Sequence, residues 1–220
     1  MGRTIVIGDI HGWHDELQAL LTKLSFESDD KVIAVGDLTV KGPKNREVLE
    51  LFSEDSRFSS VVGNHDLALV KYFKGDSDHL KHSQQKAFKE LLAGGRKLIE
   101  YLVSLPAYLE LDSHIVVHAG LRPKVNLDDQ VIEDLVELRT LGPDRTDRDG
   151  KPWYEEYEGE KTVLFGHWPA PRPRRGKKAI GLDTGCVYGY QLTAYTIETN
   201  QFASVNAFAA YDNSGPQKTS

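Results

Sequence analysis

Five short apolar runs in this chain each stop at a residue type that ligates metal ions. Residues 3–8 (RTIVIG) lead into Asp9-Ile10-His11-Gly12, residues 31–36 (KVIAVG) into Asp37, and residues 59–63 (SSVVG) into Asn64-His65-Asp66. Further along, Ile115-Val116-Val117 runs into His118-Ala119-Gly120, and residues 162–166 (TVLFG) into His167. Runs this short, β-branched and bounded by glycine predict buried strands. Between the first three lie helical patterns. Trp13, Leu17, Leu20, Leu21 and Leu24 share one face of an amphipathic helix, and residues 45–52 and those from about His65 predict two more. This alternation predicts an α/β domain with parallel strands. In open α/β sheets ligands bind at the carboxyl ends of strands, so the aspartates, asparagine and histidines fall on one rim.

The remaining sequence is read more coarsely. Residues 75–104 predict a mostly polar helical insert, broken at Gly94-Gly95. Residues 108–111 and 115–118 predict a hairpin turning at Asp112 and Ser113, and residues 140–160 a loop rich in Gly, Pro, Asp and Arg. Residues 162–166, 179–183 and 192–198 predict late strands that finish a second sheet. The expected organisation is one domain over residues 1–211, followed by a disordered tail at 212–220 (DNSGPQKTS).

Bulk properties narrow the function classes. A chain of 220 residues with 40% hydrophobic content supports a single substantial core. The formal net charge of -6 argues against non-specific nucleic-acid or membrane-surface binding, although bound metals can reverse the field locally for an anionic substrate. A lone cysteine, Cys186, permits no internal disulfide. No apolar run approaches the ~18 residues of a membrane span, and the N-terminal sequence lacks a signal-peptide layout. A cytoplasmic setting is expected, with no membrane or stable nucleic-acid partner.

The spacing of the ligand-type residues has a chemical reading. Asp9 and His11 are two apart, so on extended backbone they point the same way and can chelate one cation. The flanking glycines let the backbone turn close to a metal. Mixed carboxylate and imidazole donors suit Mn, Fe or Zn more than Mg or Ca. A carboxylate such as Asp37 can bridge two ions in a two-metal hydrolase. Each piece alone has a plainer alternative. Asp at a strand end is often a helix N-cap, and a lone His118 could be a satisfied core histidine. The whole set, each member at a strand terminus, is the specific signal.

Together, Asp9-Ile10-His11-Gly12, Gly36-Asp37, Gly63-Asn64-His65-Asp66, His118-Ala119-Gly120 and Gly166-His167 resemble the five ordered motifs of the calcineurin-like metallophosphoesterases, in their phosphoprotein-phosphatase branch. The resemblance spans about residues 3–205. It implies an α/β fold of two packed β-sheets flanked by helices. It implies two divalent metals, Mn first with Fe or Zn as alternatives: one held by Asp9, His11 and Asp37, the other by Asp37, Asn64, His118 and His167. It implies that His65 is the general acid for the leaving oxygen.

The second motif departs from the serine/threonine phosphatases, which carry Gly-Asp-x-x-Asp-Arg-Gly. Val40 stands in place of the Asp that pairs with the catalytic histidine, and Lys41 in place of an Arg that grips phosphate as a bidentate fork. Asp66 follows His65 where many members have Glu, and could partly substitute as its partner. Lys41-Gly42-Pro43, His65-Asp66, residues 164–168 (LFGHW) and residues 181–186 (GLDTGC) resemble the diadenosine-tetraphosphatase-like (ApaH-like) subgroup, which implies hydrolysis of dinucleoside polyphosphates, capped nucleotides or inorganic polyphosphate. Such substrates have good leaving groups and need less general-acid help than a phosphoserine alkoxide.

Arg139 is the candidate second phosphate grip, matching a family arginine, against the alternative of an exposed helix-end residue. Trp153, Tyr154 and Tyr157 either stack a nucleobase or pack down; Arg172, Arg174 and Arg175 either steer polyanions or form a solvated loop. The expected partner is a phosphorylated small molecule, a nucleotide or polyphosphate, with a phosphoprotein as the alternative. The competing functions are a serine/threonine phosphatase or broad phosphomonoesterase, and a metal-bound module without catalysis. The absence of Gly-x-Gly-x-x-Gly and of a P-loop disfavours other nucleotide binders.

Overall fold

A computed structural model describes residues 2–211. The first half alternates as expected: β1 (Thr4–Ile7), α1 (His14–Lys23), β2 (Lys31–Ala34), α2 (Asn45–Glu54), β3 (Phe58–Ser60) and α3 (Asn64–Lys74). Two helices, α4 (His82–Gly94) and α5 (Arg96–Ser104), and a hairpin, β4 (Tyr108–Glu110) and β5 (His114–Val117), follow. The chain continues through α6 (Ile132–Glu137), α7 (Trp153–Glu156), β6 (Thr162–Phe165), β7 (Arg174–Arg175), β8 (Ala179–Gly181), β9 (Gln191–Thr196) and β10 (Gln201–Asn206). No described helix is long and apolar enough to cross a membrane.

The strands form two five-stranded mixed sheets, ordered β10-β9-β1-β2-β3 and β4-β5-β6-β8-β7. Within them β1, β2 and β3 are mutually parallel, as are β5, β6 and β8. Period-2 alternation explains the layering, because both faces of each central strand are apolar. Val6, Ile33, Val116 and Leu164 point into the seam between the sheets, where they meet Val35, Val61 and Leu182. Ile5, Ile7, Val32 and Ala34 point the other way, into the core under α1 and α2. Ile115, Val117, Val163 and Phe165 face outward in the second sheet, onto Leu135 of α6 and Trp153 of α7.

One expectation changes. The strand at 192–198 does not finish the second sheet. As β9 it runs antiparallel to β1 (Ile5 opposite Thr196) and forms a hairpin with β10, closing the open edge of the first sheet. Residues 75–104 form two helices broken at Gly95, as expected, and their apolar face packs into the core. Ala87, Leu91, Leu98, Ile99 and Leu102 are buried in the same cluster as α1 and α2, and Glu90 accepts from Asn45 Nδ2 (2.8 Å) and from the Arg46 amide (3.0 Å). The expected tail at 212–220 lies outside the described residues.

Candidate metal centre and phosphate cavity

The six parallel strands of the two sheets end at one place. Asp9 follows β1, Asp37 β2, Asn64 β3, His118 β5, His167 β6 and Asp183 β8. The loop after β1 is zipped to the loop after β2: Ile10 and His11 amides both donate to the Asp37 carbonyl (3.2 and 2.7 Å), and the Gly12 amide to Leu38 (2.8 Å). His11 (φ 51°), Asp37 (49°), Val40 (70°), Lys41 (67°) and His167 (65°) all occupy the left-handed region. Such conformations are strained outside glycine and cluster at functional sites. Gly63 and Gly166 permit close approaches to the carboxylates. A Cβ on Gly63 would lie 2.1 Å from Asp37 Oδ1, and one on Gly166 2.0 Å from Asp9 Oδ1.

The ligand-type atoms converge. One ligand atom each of Asp9, Asp37 and His118 lie within 4.8 Å of one another. Asp37 Oδ2 is 3.5 Å from His11 Nε2 and 3.6 Å from His118 Nε2. Asn64 Oδ1 is 3.0 Å from His118 Nε2 and 3.1 Å from His167 Nδ1. Asp9 accepts from the His167 amide through both oxygens (3.1 Å each), and Asp37 Oδ1 accepts from the His65 amide (2.9 Å).

The histidine tautomers test whether this set fits metal. His11 Nδ1 lies 3.0 Å from the Thr39 carbonyl and His118 Nδ1 2.9 Å from the Val35 carbonyl. A carbonyl can only accept, so each Nδ1 carries the proton and each Nε2 presents a lone pair to Asp37 Oδ2. Lone pairs converging on a carboxylate and an amide oxygen repel one another unless a cation lies among them. A carbonyl fixing the far nitrogen is also the usual support of a metal-ligating histidine. His167 joins the set through Nδ1, 3.1 Å from Asn64 Oδ1, while its Nε2 is buried without a hydrogen-bond partner. The donor set therefore fits divalent cations.

The protein's own groups make the site electrostatically tense. Burial raises Asp9 well above the usual carboxylate range, with Asp183 and Asp37 adding to it, and pushes Asp37 up to about 7. Burial also holds His11 and His167 well below the usual histidine value, and lowers His118 to about 4 and His65 to about 3.

Around these atoms lies a cavity of about 320 Å³. His65 lines it, its ring 5.2 Å from that of His11 and its Nδ1 buried without a partner. Lys41 lines it with its ammonium 5.8 Å from the Tyr188 ring, and so does half-buried Arg139, whose Nη1 donates to the Thr146 carbonyl (3.0 Å).

Asp66 is a correction. It does not pair with His65. Its carboxylate accepts from the Leu38 amide (3.1 Å), the Thr39 amide (3.2 Å), the Thr39 hydroxyl (2.7 Å) and the Gly63 amide (3.3 Å), fully buried. All of its described hydrogen bonds brace the backbone next to Asp37 and Asn64, and none reaches the cavity. Trp153 and Tyr154 pack down. Trp153 is 0% exposed, donates from Nε1 to the Ala119 carbonyl (3.1 Å) and meets Phe165, and Tyr154 stacks on Phe165. Tyr157 completes this cluster. Arg174 lies over Trp168 (4.2 Å) and Arg175 over Phe202 (4.8 Å), and neither they nor Arg172 line the cavity.

Asp183, Lys81, Arg148 and Tyr188 also line the cavity and were not singled out from the sequence. Asp183 had a usable signal, since it ends an apolar strand as Asp9 and Asp37 do. Lys81, just before α4, and Arg148, in the loop after Thr140, carry none.

Two mixed sheets packed face to face, with ligand-type residues on their parallel strand ends, define a metal-dependent phosphoesterase sandwich. The sequence pattern of the calcineurin-like phosphoesterases (Metallophos) matches residues 2–199, so the chain belongs to that family and is a hydrolase of phosphoester or phosphoanhydride bonds. The family uses a dinuclear divalent metal site. The chain is 32% identical to the asymmetrical bis(5'-nucleosyl)-tetraphosphatase PrpE of Bacillus velezensis, over 95% of this chain and 94% of the relative. It is 30% identical to the symmetrical bis(5'-nucleosyl)-tetraphosphatase of Vibrio parahaemolyticus, over 93% and 98%. A crystal structure provisionally described as a diadenosine tetraphosphatase superposes with a TM-score of 0.80 at 32% identity, covering 94% of each chain.

Proposed function

We propose that the protein hydrolyses a phosphoanhydride bond of dinucleoside polyphosphates such as diadenosine tetraphosphate, with Mn²⁺ as the working metal and the cytoplasm as its setting. Asp9, His11 and Asp37 would hold one ion, and Asp37, Asn64, His118 and His167 the other. When bound, such a pair supplies an activated water as nucleophile and neutralises charge on the transferring phosphoryl group. Lys41 and Arg139 orient that group through their cationic ends, and His65 holds the proton for the leaving oxygen.

The observation that carries the substrate reading is the solitude of His65. Its Nδ1 has no partner, the residue where a carboxylate partner would stand is buried Val40, and neighbouring Asp66 is committed to backbone amides. Nothing therefore raises the basicity of His65 against the burial that lowers it. A histidine in that state is a poor acid for an alkoxide and sufficient for a nucleotide anion, which leaves with little protonation. The names of the tetraphosphatase relatives agree with this reading.

The test is steady-state turnover with Mn²⁺ on diadenosine tetraphosphate, p-nitrophenyl phosphate and a phosphothreonine peptide. A kcat/KM highest for the dinucleotide is expected, and the products, ATP with AMP or two ADP, identify the bond cleaved. A higher value for the peptide would overturn the substrate assignment and leave the metal chemistry standing.

A further inference from the structure

We propose that Lys81 and Arg148 are specificity residues that grip the phosphates flanking the scissile one, so that the cavity selects for a polyphosphate chain over a single phosphate. The inference rests on the phosphohydrolase reading above and deepens it. Four cationic side chains, Lys41, Lys81, Arg139 and Arg148, stand around the cavity against three carboxylates, Asp9, Asp37 and Asp183. That balance is already positive before any divalent ion adds its own charge. A phosphomonoester carries about two negative charges at neutral pH. The metals, Lys41 and Arg139 already meet that demand, so the two outer cations have no role with such a substrate. A chain of several phosphates extends the anion past the metals and meets them.

The surroundings of the two residues support a ligand rather than an internal partner. Among the described residues neither Lys81 nor Arg148 forms an ion pair, although carboxylates elsewhere on the surface are paired with Lys44, Lys97 and Lys177. Both are exposed arms on segments outside the metal motifs. Their like-charged neighbours sharpen the point. Arg139 is held below the usual arginine range by burial first and by the Arg148 charge second. Lys81 lines the same cavity as His65, the residue assigned to the leaving oxygen. Positive groups held together in excess of the carboxylates favour a polyanion that bridges them, and Arg is suited to fork onto phosphate oxygens.

The test uses the full chain at a fixed, saturating concentration of free Mn²⁺, with Lys81→Ala, Arg148→Ala and the double variant. Two quantities are read. The first is the ratio of kcat/KM for diadenosine tetraphosphate to kcat/KM for p-nitrophenyl phosphate. The second is the Ki of inorganic tripolyphosphate against p-nitrophenyl phosphate hydrolysis. Each single variant is expected to lower the ratio and raise the Ki by about tenfold, as for loss of one charge-assisted contact, with Lys81→Arg restoring most of the lost selectivity. Both readouts within about twofold of wild type, in variants with wild-type melting temperatures, would overturn the inference. If the wild type fails to cleave the dinucleotide but the Ki shifts as expected, the substrate proposal fails while the phosphate grip stands.

Discussion

Asp66→Asn separates two roles that the third motif leaves open. If Asp66 braces the metal loops, the damage appears in stability and metal affinity; if it tunes His65, it appears in proton transfer alone. The carboxylate accepts from four donors, Leu38 N, Thr39 N, Thr39 Oγ1 and Gly63 N. An asparagine offers one oxygen. Its least harmful orientation keeps that oxygen on Leu38 and Gly63 and turns the amide nitrogen toward Thr39, whose hydroxyl can rotate to accept. The Thr39 amide is then left facing another donor, buried. One unsatisfied buried donor is worth ~1–3 kcal/mol, and the lost charge assistance adds to it, for ~2–4 kcal/mol in all. For a chain of this size that lowers Tm by ~4–16 °C. Burial pushes Asp66 up to about 7, and the Asp37 charge adds to that push, so the comparison belongs near pH 8, where the carboxylate form dominates. The assay is thermal unfolding together with Mn²⁺-dependent hydrolysis of phenyl phosphate. The expected result is the Tm loss with a half-saturating Mn²⁺ concentration raised by ~10–100-fold, the range for groups that orient metal ligands. An unchanged Tm and Mn²⁺ dependence with a collapsed kcat would refute the bracing role.

Gly63→Ala puts a methyl 2.1 Å from Asp37 Oδ1 and 2.2 Å from its amide nitrogen. It should cost ~1–3 kcal/mol by urea unfolding and weaken Mn²⁺ binding, whereas Gly142→Ala, with no atom within 4 Å of the new carbon, should be near neutral. His65→Asn should keep the wild-type Mn²⁺ dependence but lower kcat on phenyl phosphate by ~10²–10⁴, with a smaller loss on the dinucleotide; equal losses on both substrates would count against the leaving-group argument. Asp30, bonded to Arg3 and the Glu27 amide, is held well below the usual carboxylate range, first by its hydrogen bond from Arg3. A depressed folded-state pKa means stability that is present above ~4 and lost as pH falls toward the folded value. The penalty of Asp30→Asn in chemical denaturation, ~1.5–3 kcal/mol at pH 7, should therefore shrink progressively below pH 4; a penalty constant down to pH 2 would rule the ionised contact out.

What was legible in the sequence is what local chemistry sets. Asp9, Asp37, Asn64, His118 and His167 converge because each follows a parallel strand, and a β-branched run closed by glycine announces a strand end without knowledge of its neighbours. Asp183 obeys the same rule and was readable on it. The partner of β9 was not, because pairing with β1 joins residues about 190 apart in the chain, and alternation shows which face a strand buries without naming the strand beside it. Lys81 and Arg148 were equally hidden, since a long cationic arm on a loop reaches the cavity through the path of the whole chain. Trp153 illustrates a third limit. An aromatic amid polar residues reads equally as a stacking platform or as one that packs down, and only the docking of α7 on β6 shows that it fills the core of the second sheet.

Val40 joins these threads. Its identity shows only that the carboxylate expected beside the proposed acid, His65, is missing. The structure shows what stands there instead: a β-branched residue at φ 70°, 0% exposed and packed in the core beneath the first sheet. Such a conformation persists only where its surroundings over-determine it. Here the surroundings are the apolar cluster that holds the Val40 side chain and the Asp66 carboxylate that grips the two preceding residues, Leu38 and Thr39. With Val40 anchored inward, the next residue, Lys41, also left-handed at φ 67°, lines the phosphate cavity. Where the serine/threonine phosphatase pattern has a carboxylate, the second motif here carries a hydrophobic pin followed by a cation that lines the cavity. On the proposed roles, a site whose histidine has no carboxylate to keep it protonated but which retains cations suits a reaction whose leaving group is good and whose substrate is highly charged, and both properties belong to a phosphoanhydride chain.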